Sequence, residues 1–163
     1  MQPKLDIRPV TEGEFESLLP MIAAYQRFYE VDGVEEDRNR AFFRRFIAPS
    51  DDGLLLAAWD GDELAGYACL YWFFSSTQAT ETVLMNDLFV VEGHRGAGVG
   101  RALIEASREV ARERGARHLE WSTAPDNHTA QRLYDSTGAE RSTWLTYELP
   151  ADEEGGEGAN SGK

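Results

Sequence analysis

The chain predicts a mixed α/β domain in which antiparallel strands come first and one strand–helix–strand crossover follows. Three observations carry this expectation. Two apolar runs flank an Asp60-Gly61-Asp62 turn, the signature of a hairpin. The run Leu88-Phe89-Val90-Val91 passes through Arg95-Gly96-Ala97-Gly98-Val99-Gly100 into a segment with helical apolar spacing. A short apolar stretch at 118–122 follows that helix, so it can lie parallel to the strand before the glycines.

Taken in order, Leu5-Asp6-Ile7-Arg8-Pro9-Val10 alternates as a first strand. Thr11 with Glu14 three residues on reads as a capping box opening a helix with Phe15, Leu18, Leu19 and Ile22 on one side. Pro20 predicts a kink or restart in it, and Tyr25, Phe28 and Tyr29 continue its apolar face. A second helix is expected over 36–47 with Phe42, Phe43 and Phe46 inward. Strands over 53–59, 64–74 and 82–91 build the sheet. The helix after the glycines carries Val99, Ala102, Leu103, Ala106, Val110 and Ala111 on one face, and Gly115 ends it. A helix over 128–137 closed by Gly138 and a final strand over 142–149 complete the domain, 1–150. Residues 151–163, acidic and rich in glycine, read as a disordered tail.

Among 163 residues, 16 are basic and 29 acidic, giving a net charge of −13 that disfavours nucleic acid and would attract a cationic acceptor. The same charge also suits solvated acidic faces alone. No apolar run reaches the roughly 20 residues of a membrane span, so no membrane partner is expected. The opening residues lack the apolar core of a secretion signal, and the one cysteine, Cys69, fits a reducing compartment; a cytoplasmic location is expected. No metal site is expected, because His94, His118 and His128 are scattered and none pairs with Cys69 at ligand spacing.

The glycine loop is the chemical feature. Residues without side chains let backbone approach a phosphate, and the free N–H groups of the next helical turn point along its dipole. A P-loop is excluded, since Arg101-Ala102 follow Gly100 where lysine and a hydroxyl are needed. A dinucleotide fingerprint is a poor match, because its third glycine falls on Arg101.

Arg95-x-x-Gly98-x-Gly100, preceded by Leu88-Phe89-Val90, resembles the acetyl-coenzyme A loop of the GNAT N-acetyltransferase superfamily, Arg/Gln-x-x-Gly-x-Gly/Ala. Asn127 at a helix start and Leu133-Tyr134 followed by Gly138-Ala139 extend the likeness, which spans 5–149. Asn86-Asp87-Leu88-Phe89-Val90, Glu120-Trp121 and Asn127-His128-x-Ala130-Gln131-x-Leu133-Tyr134 look closest to small polyamine, histone and D-amino-acid acetyltransferases. The resemblance implies the GNAT acyl-CoA N-acyltransferase fold, acetyl-CoA as cofactor, and an acetyl group moved to a primary amine of a small molecule by direct attack in a ternary complex. Its alternatives are a protein-lysine or N-terminal acetyltransferase, and a non-catalytic acyl-CoA-binding module. It also implies a homodimer, with the final strand carrying Trp144 and Tyr147 as its interface.

By the same resemblance, the backbone of Leu88, Phe89 and Val90 pairs with the pantetheine arm. The loop of Arg95, Gly96, Ala97, Gly98, Val99, Gly100 and Arg101 holds the pyrophosphate, and Asn127 hydrogen-bonds the cofactor. Tyr134 would protonate the departing thiolate; a phenol near pKa 10 can donate late without strong perturbation. The proton acceptor is left open between Asp87, beside the cofactor strand, and Glu30, past the end of the first helix. Either can instead be a strand-end or helix-end charge. Asn86 stands where polyamine enzymes carry a second acid, which argues against the most basic acceptors. Tyr29, Trp72 and Trp121 are candidates for the acceptor wall or for core, and Cys69 is expected to be inert packing.

Overall fold

A computed structural model describes residues 5–152. Strands β1 (Leu5–Pro9), β2 (Gly53–Asp60), β3 (Glu63–Ser75), β4 (Thr80–Val90) and β5 (Leu119–Glu120) form one sheet in sequence order. The first four are antiparallel, and β5 runs parallel to β4. Helices α1 (Phe15–Phe28) and α2 (Glu36–Phe43) come early, and α3 (Val99–Glu113) and α4 (His128–Asp135) come late. The expected mixed α/β architecture, hairpins first and one crossover after, is therefore the one observed. All but the first two residues of the acidic tail lie outside the described residues.

The sheet separates two apolar layers. Leu55 and Ala57 of β2 pack with Phe15, Leu18, Leu19 and Ile22 of α1, whereas Leu54, Leu56 and Ala58 pack with Val99, Leu103 and Ile104 of α3. The two-residue period of a strand sorts the unbroken Leu54-to-Ala58 run into these layers, which is why a central strand can be apolar throughout. The β2–β3 hairpin closes at Asp60↔Glu63 through Gly61, whose φ of +62° suits a two-residue turn. Beyond α3, Gly115 at φ +71° lets Ala116 N–H donate to the Ala111 carbonyl at 2.9 Å, tying off the helix end.

Several expectations need correction. Glu14 accepts from the Thr11 N–H at 3.1 Å, but Thr11 gives no reciprocal cap; a turn separates it from α1. Pro20 lies within a single α1 rather than restarting it; having no N–H, it leaves the Glu16 carbonyl without its intrahelical donor. The helix expected over 36–47 ends at Phe43 and tightens into a 3₁₀ turn, Arg44–Phe46. That change of pitch buries Phe43 and Phe46 and leaves Phe42 exposed. The strand expected over 118–122 pairs only at Leu119–Glu120, and α4 stops at Asp135 rather than 137. The strand expected over 142–149 is absent: residues 139–150 run without regular structure and pair with no described strand. Among the described residues, no helix is long and apolar enough to cross a membrane.

Candidate active site

The site begins with a register fault in β4. Cys69 opposes Asp87 and Leu70 opposes Met85, so Asn86 is an extra residue in the strand, a β-bulge. The bulge reverses which backbone groups face each neighbour. Val83 N–H donates toward β5, to the His118 carbonyl at 3.1 Å, yet Val91 N–H donates the other way, to the Ala65 carbonyl of the β3 side at 3.0 Å. Both are odd-numbered, and only one inserted residue between them reconciles the two directions. It follows from the alternation that the amides of Leu88 and Val90 face the β5 side. No strand meets them there, because β4 and β5 pair only through Val83↔Leu119 and Leu84↔Glu120. The two strands part after two residues and leave an extended backbone edge free.

That edge leads to the glycine loop. Gly96 and Gly98 hold φ of +79° and +85°, a left-handed conformation that resists any side chain, and the space beside both is open. Gly98 is the N-cap of α3, with no side-chain cap and no acid in the first turn. A fifteen-residue helix thus presents its first N–H groups uncompensated, a ready anion site. Gly100 answers a different need: a Cβ there would lie 3.0 Å from the Leu133 side chain of α4, so it allows α3 and α4 to approach.

The structure gives three expected cofactor residues particular partners. Arg95 folds back, its Nε donating to the Val90 carbonyl at 3.1 Å and its guanidinium over Phe28 and Phe89. Arg101 turns toward the end of α4 and donates to the Ser136 carbonyl (3.2 Å) and hydroxyl (2.6 Å). Asn127 caps α4 through Oδ1, which accepts from Ala130 N–H at 3.2 Å, while its Nδ2 makes no hydrogen bond among the described residues. An open cavity of about 490 Å³ lies between α1 and the end of β4, lined by Pro20, Met21, Ala24, Phe28, Phe89 and Arg95 among others. It borders the loop and holds neither Asp87 nor Tyr134.

Asp87 is 5% exposed, and burial lifts its carboxyl to about 6. The Asn86 amide, donating at 2.9 Å, and the neighbouring Tyr25 phenol partly oppose that rise by favouring the anion. Burial together with the nearby carboxylate pushes the phenols of Tyr25 and Tyr67 and the thiol of Cys69 upward. Cys69 is accordingly a protonated, buried group without the character of a nucleophile. Tyr25 packs edge-on against Tyr29, the C-cap residue of α1, at 5.0 Å. Tyr29 in turn lies close enough to Tyr134 to add to the burial that raises the Tyr134 phenol. Tyr134 packs edge-on against Trp121 at 5.3 Å. Tyrosines thus lead from Asp87 across the parted strands to Tyr134.

Other candidates fall elsewhere. Glu30 is exposed in the turn after α1, at φ +56°, with no side-chain partner among the described residues. Trp72 is removed from the site: its indole N–H donates to the Ser50 carbonyl, and Arg114 covers its ring at 3.9 Å. His94 faces Asp60 and Glu63 at 3.7 and 3.8 Å, away from any phosphate role. Among the described residues no cluster of His, Cys, Asp or Glu could hold a metal ion. Tyr25 was invisible as a site residue because its spacing reads simply as the apolar face of α1. The polar pair Asn86-Asp87 within an apolar strand was the available sign of the bulge.

A parted strand pair feeding an uncapped helix start defines a class, and comparison with known proteins names it. Residues 18–139 match the acetyltransferase (GNAT) family, and the chain belongs to that family of acetyltransferase enzymes. It is 30% identical over 147 residues to the uncharacterized N-acetyltransferase YhfO of Bacillus subtilis (strain 168), covering 88% of this chain and 95% of that one. It is 29% identical over 145 residues to the thialysine N-epsilon-acetyltransferase of Sus scrofa, covering 82% of each. A solved structure of a probable acetyltransferase superposes with a TM-score of 0.80 at 27% identity, over 91% of this chain and 99% of that one.

Proposed function

We propose that the protein moves an acetyl group from acetyl-CoA to a primary amine of a small molecule, by direct attack while both are bound. The observation that supports this best is the continuity of the free β4 edge with the uncapped start of α3. The amides of Leu88 and Val90 offer an extended backbone partner to a pantetheine arm, and those of Val99, Gly100 and Arg101 cradle the pyrophosphate beyond it. Acetyl-CoA supplies the activated thioester. An edge amide of β4 aimed at its carbonyl oxygen stabilises the charge that develops there.

The remaining steps are proton transfers. An alkylammonium with a pKa near 10 must lose a proton before it attacks. Asp87, ionising at about 6, is charged at neutral pH and accepts that proton through the Tyr25 and Tyr29 hydroxyls or an intervening water. Tyr134 donates its phenolic proton to the departing sulfur. Glu30, exposed past Tyr29, meets the positive charge of the incoming amine. Thialysine N-epsilon-acetyltransferase is named for an amine at the end of a flexible side chain, and that chemistry suits a site guarded by carboxylates and tyrosines.

An acceptor screen read by mass tests the proposal. Lysine-like amino acids, diamines, aminoglycosides and a lysine peptide are each incubated with enzyme and acetyl-CoA. The expected result is an acetyl mass added to a small amine. Acetylation of the peptide alone would replace the small-molecule reading, and no product from any amine would replace the enzyme reading with a binding module.

A further inference from the structure

One buried phenol close to Asp87 has no task in the proton path through Tyr25 and Tyr29. Tyr67 is fully buried, and its hydroxyl has no hydrogen-bond partner among the described residues. Buried hydroxyls are rarely left that way, because the lost hydration goes uncompensated. The strand register shows what this one faces. Tyr67 opposes Phe89 and Cys69 opposes Asp87, so Tyr67 stands on the diagonal from Asp87, on the same face of the sheet. From α1, Tyr25 meets that face, its ring 6.0 Å from Tyr67 and 5.9 Å from Phe89. The titratable groups gathered there are Tyr25 from α1, Tyr67, Cys69 and Tyr71 from β3, and Asp87 from β4; Arg45 adds a positive charge beside Tyr71. Burial, and after it the Asp87 charge, holds the Tyr67 phenol well above its ordinary range, so it remains a donor at every working pH. Asp87 has acceptor capacity to spare. The Asn86 amide and the Tyr25 phenol take two of the roughly four lone-pair sites of a carboxylate.

We infer that Tyr67 is a positioning residue of the reaction: one buried water joins its hydroxyl to the Asp87 carboxylate and holds that carboxylate ionised and turned toward Tyr25. The inference rests on the reading of Asp87 as the proton acceptor. A water at this point has the polar partners that such a site requires, accepting from the Tyr67 hydroxyl and donating to Asp87. It satisfies a hydroxyl that the protein groups leave orphaned, and it gives the carboxylate a further donor. Asn86, Tyr25 and the water then share the buried charge. A carboxylate held from several directions keeps one orientation toward the tyrosines that bring it the proton of the amine. Tyr67 touches neither substrate nor cofactor; its effect reaches the reaction through the ionisation of Asp87.

The test is Tyr67→Phe, which removes one oxygen and keeps the ring packed against Tyr25 and Phe89. The Asp87 carboxyl is titrated directly in the full chain, without ligands, by carbon-13 magnetic resonance of labelled aspartate, its signal assigned with Asp87→Asn. Loss of a donor to the anion should raise the Asp87 midpoint by about one unit, a tenfold change in ionisation. With the wild-type midpoint near 6, kcat/KM for the amine should then fall about fivefold at pH 6 and barely change at pH 8. The unaltered chain gives a second reading. Its Tyr67 hydroxyl proton should receive magnetisation from a bound water and shift as Asp87 titrates. An Asp87 midpoint that Tyr67→Phe leaves in place, or a Tyr67 hydroxyl proton indifferent to the Asp87 titration, would overturn the inference. So would a Tyr67→Phe variant more stable than the wild type at pH 8, because that gain marks the hydroxyl as truly unpaired. A carboxyl midpoint that moves while the pH–rate profile stays in place would uphold the water link and overturn the role of both residues in the reaction, so the two failures are told apart.

Discussion

Replacing Asp87 by asparagine should stabilise the fold and disable the enzyme together, and the two effects should separate with pH. Asp87 is almost fully buried, and its carboxyl moves from an ordinary 3.8 to about 6 chiefly because burial penalises the anion. At 1.36 kcal/mol per tenfold change, holding it ionised within the fold costs about 3 kcal/mol. The folded-state value lies above the unfolded one, so between pH 4 and 6 the folded chain binds a proton the unfolded chain has lost. The contribution of Asp87 to stability is accordingly full below about pH 4, is lost as pH rises through 6, and is constant above that. Asp87→Asn removes the buried charge and keeps an acceptor for the Asn86 amide. Denaturant unfolding at pH 8 should show the variant more stable by up to about 3 kcal/mol, and at pH 4 the difference should vanish. Turnover by the variant should fall roughly 10²–10⁴-fold, the range for loss of a general base. Equal stability of the two proteins at both pH values would refute the buried-charge argument. Full turnover by the variant would remove Asp87 from the chemistry.

Further outcomes follow from the same geometry. In the wild type, kcat/KM should rise with pH about an apparent midpoint near 6, seen in initial rates at subsaturating amine. Tyr25→Phe removes a group that favours the Asp87 anion, so that midpoint should move upward, a displacement that a merely structural tyrosine would not produce. Tyr134→Phe should lower kcat roughly 10²-fold or more with little change in acetyl-CoA affinity by calorimetry, because the lost proton matters only as the thiolate leaves. Gly98→Val forces a β-branched residue to φ +85° at the N-cap of α3; it should weaken coenzyme A binding at least tenfold by the same calorimetry while leaving the Asp87 pH midpoint in place.

Much of this architecture was legible because its signals are local. The Asp60-Gly61 turn, the two-residue period of β2 and the glycine spacing before α3 each reflect constraints acting within a few residues. What escaped depended on partners distant in sequence. Phe42 and Phe46 look equivalent by periodicity, and only the tightening of the chain after Phe43 exposes one and buries the other. Arg101 and Asn127 match positions for cofactor contact, yet their nearest partners are the end and the start of α4, knowable only once α3 and α4 are placed side by side. The bulge at Asn86 decides which β4 amides face the opening, a long-range matter of register hinted at by a single polar pair. The segment 142–149 alternates as a strand should, but a strand needs a neighbour, and no described strand of the chain pairs with it.

The central claim is that acetyl-CoA lies along the free edge of β4 with its pyrophosphate on α3 and gives its acetyl group to an amine beside Tyr134. Thiol release from acetyl-CoA, followed at pH 8 with and without a lysine-like amine, tests it most directly. The account predicts release that depends on the amine, with intersecting double-reciprocal lines for the two substrates and near-complete loss in Tyr134→Phe. Coenzyme A binding without thiol release for any amine, or parallel lines with Tyr134→Phe fully active, would contradict it.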